Sequence, residues 1–169
     1  MGPRALLVAI TASAVIATGS LTNAHAEPPS GGLFIPGKSL AAARLGMTPN
    51  EILATWGARH GVCRGCEAKT WYFNEKPFQP QGTGVVFRSG RAVALFTLWK
   101  PKGWTTPEKL SLGADGGKIG ETYGELESRA CDRYTALVLR GAGADSVFYV
   151  YRDDLWGFGL VRRGVNPCF

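Results

Sequence analysis

One segment of the chain recurs without a gap 67 positions further on. Leu45-Gly46-Met47-Thr48-Pro49-Asn50-Glu51-Ile52-Leu53-Ala54-Thr55-Trp56-Gly57 aligns with Leu112-Gly113-Ala114-Asp115-Gly116-Gly117-Lys118-Ile119-Gly120-Glu121-Thr122-Tyr123-Gly124. Leu, Gly, Ile, Thr and Gly are identical between the copies, and Trp56 faces Tyr123 as a second aromatic. A repeat of this size demands that one local plan be built twice.

Each copy reads as a short helix. Thr48 suits the N-cap, Pro49 the first helical position, and Glu51 closes a capping box. Asp115 takes the cap position in the second copy. Gly57 and Gly124 fall where a helix stops. Gly116, Gly117 and Gly120 each cost a helix about 1 kcal/mol relative to Ala, so the second helix is expected to be the weaker.

The segments after the two helices also correspond. A cysteine comes first, Cys63 or Cys131, then a strand candidate, 70–74 or 134–139. A hairpin closes each unit: 84–88, a Ser89-Gly90 turn and 91–99 in one; 146–151, an Arg152-Asp153-Asp154 turn and 155–162 in the other. The expected class is α+β: two tandem helix-plus-antiparallel-sheet repeats, helices on one face and an open sheet face on the other. The boundaries are 38–99 for repeat 1, 100–107 for a connector and 108–169 for repeat 2.

The amino end reads as an export signal, residues 1–26. Arg4 precedes an apolar stretch from Ala5 to about Ala17, and Ala24-His25-Ala26 offers small residues at a peptidase site. That stretch falls short of the roughly 20 residues a membrane-spanning helix needs, so no stable membrane span is expected. Residues 27–37, rich in Pro and Gly, read as a flexible lead-in. The expected location is extracellular. The full chain carries +6; removing Arg4 with the signal leaves +5. The basic residues are scattered, and no nucleic-acid footprint emerges. Four cysteines, Cys63, Cys66, Cys131 and Cys168, suit two disulfides in an exported chain. Three pairings exist; proximity favours Cys63–Cys66 with Cys131–Cys168.

The segment Leu45-Gly46-Met47-Thr48-x-x-Glu51-Ile52-Leu53 resembles the helix signature of the secreted β-lactamase inhibitory proteins. The small envelope lipoproteins of the outer-membrane barrel-assembly machinery carry a similar one. The resemblance implies two helix-plus-sheet repeats presenting a concave, aromatic-rich sheet surface to a partner protein. The second copy departs from the signature at Ala114-Asp115-Gly116-Gly117, and the Cys-x-x-Cys of the first unit is tighter than the family's spacing.

Cys63-Arg64-Gly65-Cys66 has the form of a redox motif, and Arg64 and His60 would lower a thiol pKa. Its position after a helix stop and before a strand is that of a structural disulfide. His60, the one histidine outside the signal segment, could pair with Cys63 as a nucleophile only if Cys63 were reduced. One His with paired Cys does not assemble a zinc site. No nucleophile elbow or phosphate loop is present. No catalytic residue, metal or cofactor is therefore expected. The aromatics are the binding candidates. Strand alternation puts Tyr149 and Tyr151 on the open face and turns Phe148 and Val150 to the helices. Tyr72, between Trp71 and Phe73, reads the same way, and Trp99 and Trp156 complete the set. The expected function is that of a non-enzymatic, inhibitor-like binding protein gripping a partner protein. The alternatives are a cell-wall polymer-binding module and a thiol–disulfide exchange enzyme.

Overall fold

The computed structural model describes residues 2, 31–73, 82–98 and 103–169. Apart from Gly2, the signal segment 1–26 lies outside the described residues, as do Trp99 and parts of the lead-in and connector.

The chain runs β1 (Gly32–Ile35), β2 (Ser39–Leu40), α1 (Pro49–Trp56), β3 (Gly61–Val62), β4 (Lys69–Tyr72), β5 (Gly82–Arg88), β6 (Arg91–Leu98) and β7 (Trp104–Thr105). It continues through α2 (Gly117–Tyr123), β8 (Glu127–Ala130), β9 (Thr135–Leu139), β10 (Asp145–Tyr151) and β11 (Asp154–Val161). Eight strands form one sheet in the order β3-β4-β5-β6-β11-β10-β9-β8, and every pairing in it is antiparallel.

This corrects the expected class. The described residues are mostly β, with two helices of 8 and 7 residues, and they do not form a pair of helix-plus-sheet repeats. The reason lies at the seam. The strands expected to close two separate sheets, β6 and β11, pair with each other from Ala94↔Val161 to Leu98↔Gly157. Both are apolar and buried along nearly their whole length. Kept apart, each would leave a row of buried N–H and C=O groups without partners.

The two Leu-Gly segments have matching local contacts. Gly46 N donates to Ala92 O and Ala92 N to Met47 O, each at 2.8 Å; Gly113 N donates to Leu155 O at 2.7 Å and Leu155 N to Ala114 O at 2.8 Å. Each segment therefore clamps the start of a seam strand. Gly46 and Gly113 sit at φ 83° and 86°, a conformation that disfavours any side chain.

One face of the sheet is covered by α1, α2 and a small three-stranded sheet, β2-β1-β7. Helix α1 begins as its sequence dictates: Thr48 N donates to Glu51 Oε2 at 2.7 Å and Glu51 N to Thr48 Oγ1 at 3.3 Å, with Pro49 at the first position. Its buried Trp56 donates Nε1–H to Ala41 O at 3.1 Å and meets Phe73 edge-on. Helix α2 starts one residue later than expected. Gly116 is its N-cap, with no side-chain bond, and Asp115 Oδ1 accepts from Gly117 N at 2.8 Å instead. Ile119 is its one buried residue.

The expected lead-in and connector are part of this layer. Leu33-Phe34-Ile35 supplies a strand in the lead-in because Phe34 is fully buried, stacked on Phe158 with centroids 5.0 Å apart. β7, inside the expected connector, pairs parallel with β1 and buries Trp104.

Candidate functional site

The other face of the sheet carries the candidate site. Alternation orients its side chains as the sequence suggests: Phe148 joins the core under the helices, and Tyr149 joins the opposite cluster with Tyr72, Phe96, Val138, Val147 and Val161. Phe96 has a glycine beside it on each neighbouring strand, Gly84 on β5 and Gly159 on β11. A Cβ at Gly84 would fall within van der Waals overlap of the Phe96 ring, and one at Gly159 would lie 2.6 Å from the Tyr149 hydroxyl. The glycines make a trough in which both rings lie against the backbone.

This face is not open as expected. Residues 162–169, which carry no strand or helix, return across it. The Cys131–Cys168 disulfide, Cα atoms 5.5 Å apart, pins the returning segment beside β8 and β9. Phe169 stacks on Phe96 at 4.5 Å, and Phe169 N and the Phe169 carbonyl both bond the Tyr134 hydroxyl at 2.7 Å. Tyr149, expected to be exposed, is 0% accessible and donates its hydroxyl proton to Pro167 O at 2.9 Å. Burial holds its phenol pKa well above the ordinary tyrosine value. Tyr72 is buried too, edge-on to Phe96, and its pKa is raised for the same reason. These two tyrosines are part of the packing, not the surface. A returning segment with no periodicity of its own gave no sign of this in the strand pattern.

The other two described candidates remain partly accessible. Tyr151 and Trp156, on opposite strands of the β10–β11 hairpin, lie 5.6 Å apart, and the Arg152 guanidinium sits 5.2 Å from the Tyr151 ring. Tyr134 joins them, 5.4 Å from Trp156 and 5.4 Å from Tyr149. Tyr134 was not among the expected binding residues. Its place three residues after Cys131 and at the start of a strand was the available signal. Burial is the main cause of its raised pKa. Three half-buried rings thus stand on a base of buried ones.

On the same face, at the other end of β9 and β10, runs a groove of about 610 Å³. Val138, Val147 and Val161 form its floor, Gly164–Pro167 one wall, and Glu127 and Arg129 of β8 the other. Arg140 bridges Glu127 and the buried Asp145 at one end, and Arg163 donates to Gly141 O at 2.7 Å.

The Cys63–Cys66 disulfide closes an exposed loop after β3, with Gly65 at φ 90°. Both pairings are those favoured by proximity. The His60 ring lies over Trp71, centroids 4.0 Å apart, with Nδ1 2.9 Å from Ala58 O, so it packs half-buried against the edge of the core.

No protein-family model matches the chain, and no curated protein does. Among solved structures, it is similar to an extracellular protein containing an SCP domain from Bacillus anthracis strain Ames, at 11% identity and a TM-score of 0.48. The match covers 70% of this chain and 44% of that one, so the chain spans less than half the length of its structural neighbour.

Proposed function

We propose that the protein is a secreted, non-enzymatic binding protein that grips another protein through the sheet face opposite its helices. The observation that carries this reading is the cluster of Tyr134, Tyr151 and Trp156. All three rings are partly accessible and are fixed by stacking on one another. Tyr and Trp held this way offer large contact area at little entropic cost, the usual character of a binding anchor. Two disulfides suit an oxidising, extracellular setting. The export signal read in residues 1–26 agrees with it.

The test is site-specific photocrosslinking. A photoreactive residue replaces Trp156 in one variant and Asn50, exposed on α1, in another. Each is incubated with the proteins and wall fragments that surround the producing cell. A protein adduct formed from position 156, absent from position 50 and persisting at about 0.5 M salt, is the expected result. An adduct with wall polymer that disappears at that salt would replace this reading with the polymer-binding one. No adduct from position 156 would remove the sheet face as the binding surface.

A further inference from the structure

The two ends of the eight-stranded sheet are finished differently. At one end β3 is two residues long and runs straight into the Cys63–Cys66 loop. That is a blunted edge. At the other end β8 has four residues, Glu127–Ala130, all exposed and, among the described residues, paired on one side only, to β9. It contains no Pro and no bulge, and its two charged residues, Glu127 and Arg129, both turn to one face of the sheet. Its outward backbone groups form a template for one more strand.

The side chains beside that edge select what can be added. Alternation turns Glu127 and Arg129 to the groove face and Ser128 and Ala130 to the other. Glu127 is taken by Arg140, which is shared with Asp145. Among the described residues Arg129 makes no ion pair, and the only partner of the Arg163 guanidinium is a neutral carbonyl. Beside the edge, Arg129 therefore offers a guanidinium group without a matching carboxylate, and Arg163 lies at the far end of the groove by Gly141. We propose that β8 accepts an extended segment of a partner protein by strand addition, and that this segment carries an acidic side chain directed to Arg129. Main-chain hydrogen bonds would hold the strand, and Arg129 would read the side chains it turns to that face. A second copy of the chain is a poorer occupant, because the +5 left when Arg4 goes with the signal from the full chain's +6 makes like molecules repel.

This inference rests on the partner-binding reading and adds where the partner's chain runs and what it carries. The probe is a fluorescein-labelled eight-residue peptide of alternating valine and glutamate, titrated with the full chain and read by polarisation. Control peptides carry glutamine or lysine in place of glutamate, and two further peptides are N-methylated on one or the other set of alternate amides. Saturable binding of the glutamate peptide is expected. Binding should weaken about tenfold or more with Arg129→Glu. It should hold with Arg44→Glu, an equal charge change at an exposed distant site. One N-methylated set should abolish binding and the other should not, because only one row of amides faces β8.

Equal binding of the lysine peptide would overturn the charge selection. Survival of binding through both N-methylated sets would overturn strand addition. Sedimentation of the chain alone as a dimer that Arg129→Glu dissociates would assign the edge to a second copy and overturn the proposal. If the peptide fails while the position-156 adduct forms, the edge proposal falls and the sheet-face reading stands.

Discussion

The ring of Phe169 lies parallel to that of Phe96, centroids 4.5 Å apart and planes within 12°. The two residues are separated by most of the second half of the chain, and their contact decides which rings of the sheet face reach solvent. Phe96 itself lies against the backbone at Gly84, and Phe169 covers it from above. The arrangement is a sandwich whose lower slice has to be glycine.

Gly84→Ala tests that requirement. The new methyl would occupy space now filled by the Phe96 ring, and the ring cannot retreat because Phe169 is stacked on it. A loss of about 1–3 kcal/mol is expected, the usual cost of overpacking. It should show as a lower denaturation midpoint with an unchanged slope in urea. Pairing G84A with Phe169→Ala should recover part of that loss, since Phe96 could then tilt outward.

The two disulfides should differ in weight. Cys131 and Cys168 are 37 residues apart, Cys63 and Cys66 three. In the chain-entropy model, replacing the long-range pair with serine costs about 3–4 kcal/mol, and replacing the short-range pair costs much less. The long-range variant should also release residues 162–169 and expose Tyr149. Loss of its protected phenol, monitored by ultraviolet titration of tyrosine, distinguishes that release from simple destabilisation.

Tyr123 gives a pH signature on the helix side. Burial first, and then the hydrogen bond to Glu108, raise its pKa to about 12, and the same bond lowers the Glu108 carboxyl below its ordinary value. In the unfolded chain the phenol ionises near 10. Between pH 10 and 12 the folded state therefore holds the extra proton. The stabilisation is complete below about pH 10 and is lost as pH rises toward about 12. At the acid end the contribution of Glu108 is present above its ordinary pKa and fades as pH falls through the lowered one. Tyr123→Phe should flatten both slopes in stability measured from about pH 3 to about pH 12, relative to the parent.

The caps of the two helices should not be equivalent. Thr48→Ala removes a reciprocal capping box and should cost about 1 kcal/mol. Asp115→Ala removes one bond to Gly117 N outside the cap position and should cost less. Thermal unfolding of the two variants side by side measures the difference.

What the sequence made legible was local. The Thr48–Glu51 box, both hairpins, the inward turn of Phe148 and the disulfide pairing depend on residues close together or on a period of two, and all are present. What stayed hidden depends on distant partners. Nothing in 91–98 or 154–161 states that these strands pair with one another, because an apolar strand reads the same beside any neighbour. The burial of Tyr149 comes from Pro167 and Phe169, in a stretch with no hydrophobic period to mark it. The β1 strand was concealed by the Pro and Gly residues around Leu33-Phe34-Ile35. The partial exposure of Tyr151 and Trp156 is legible because they sit on a hairpin, and that of Tyr134 is not, because it is set by the hairpin beside it.

The β6–β11 seam has a further consequence for the chain before it is folded. The hairpins β5–β6 and β10–β11 can each zip from a tight turn, but the seam must wait for a loop of roughly sixty residues to close. In that interval every molecule carries two complementary, unpaired, apolar strand edges. They fit each other, and they fit equally well the edges of a neighbouring molecule. Refolding at high concentration should therefore yield exchanged dimers and longer chains of molecules, and dilution should favour the monomer. The pairing that makes the finished sheet continuous is the one that makes the unfinished chain adhesive.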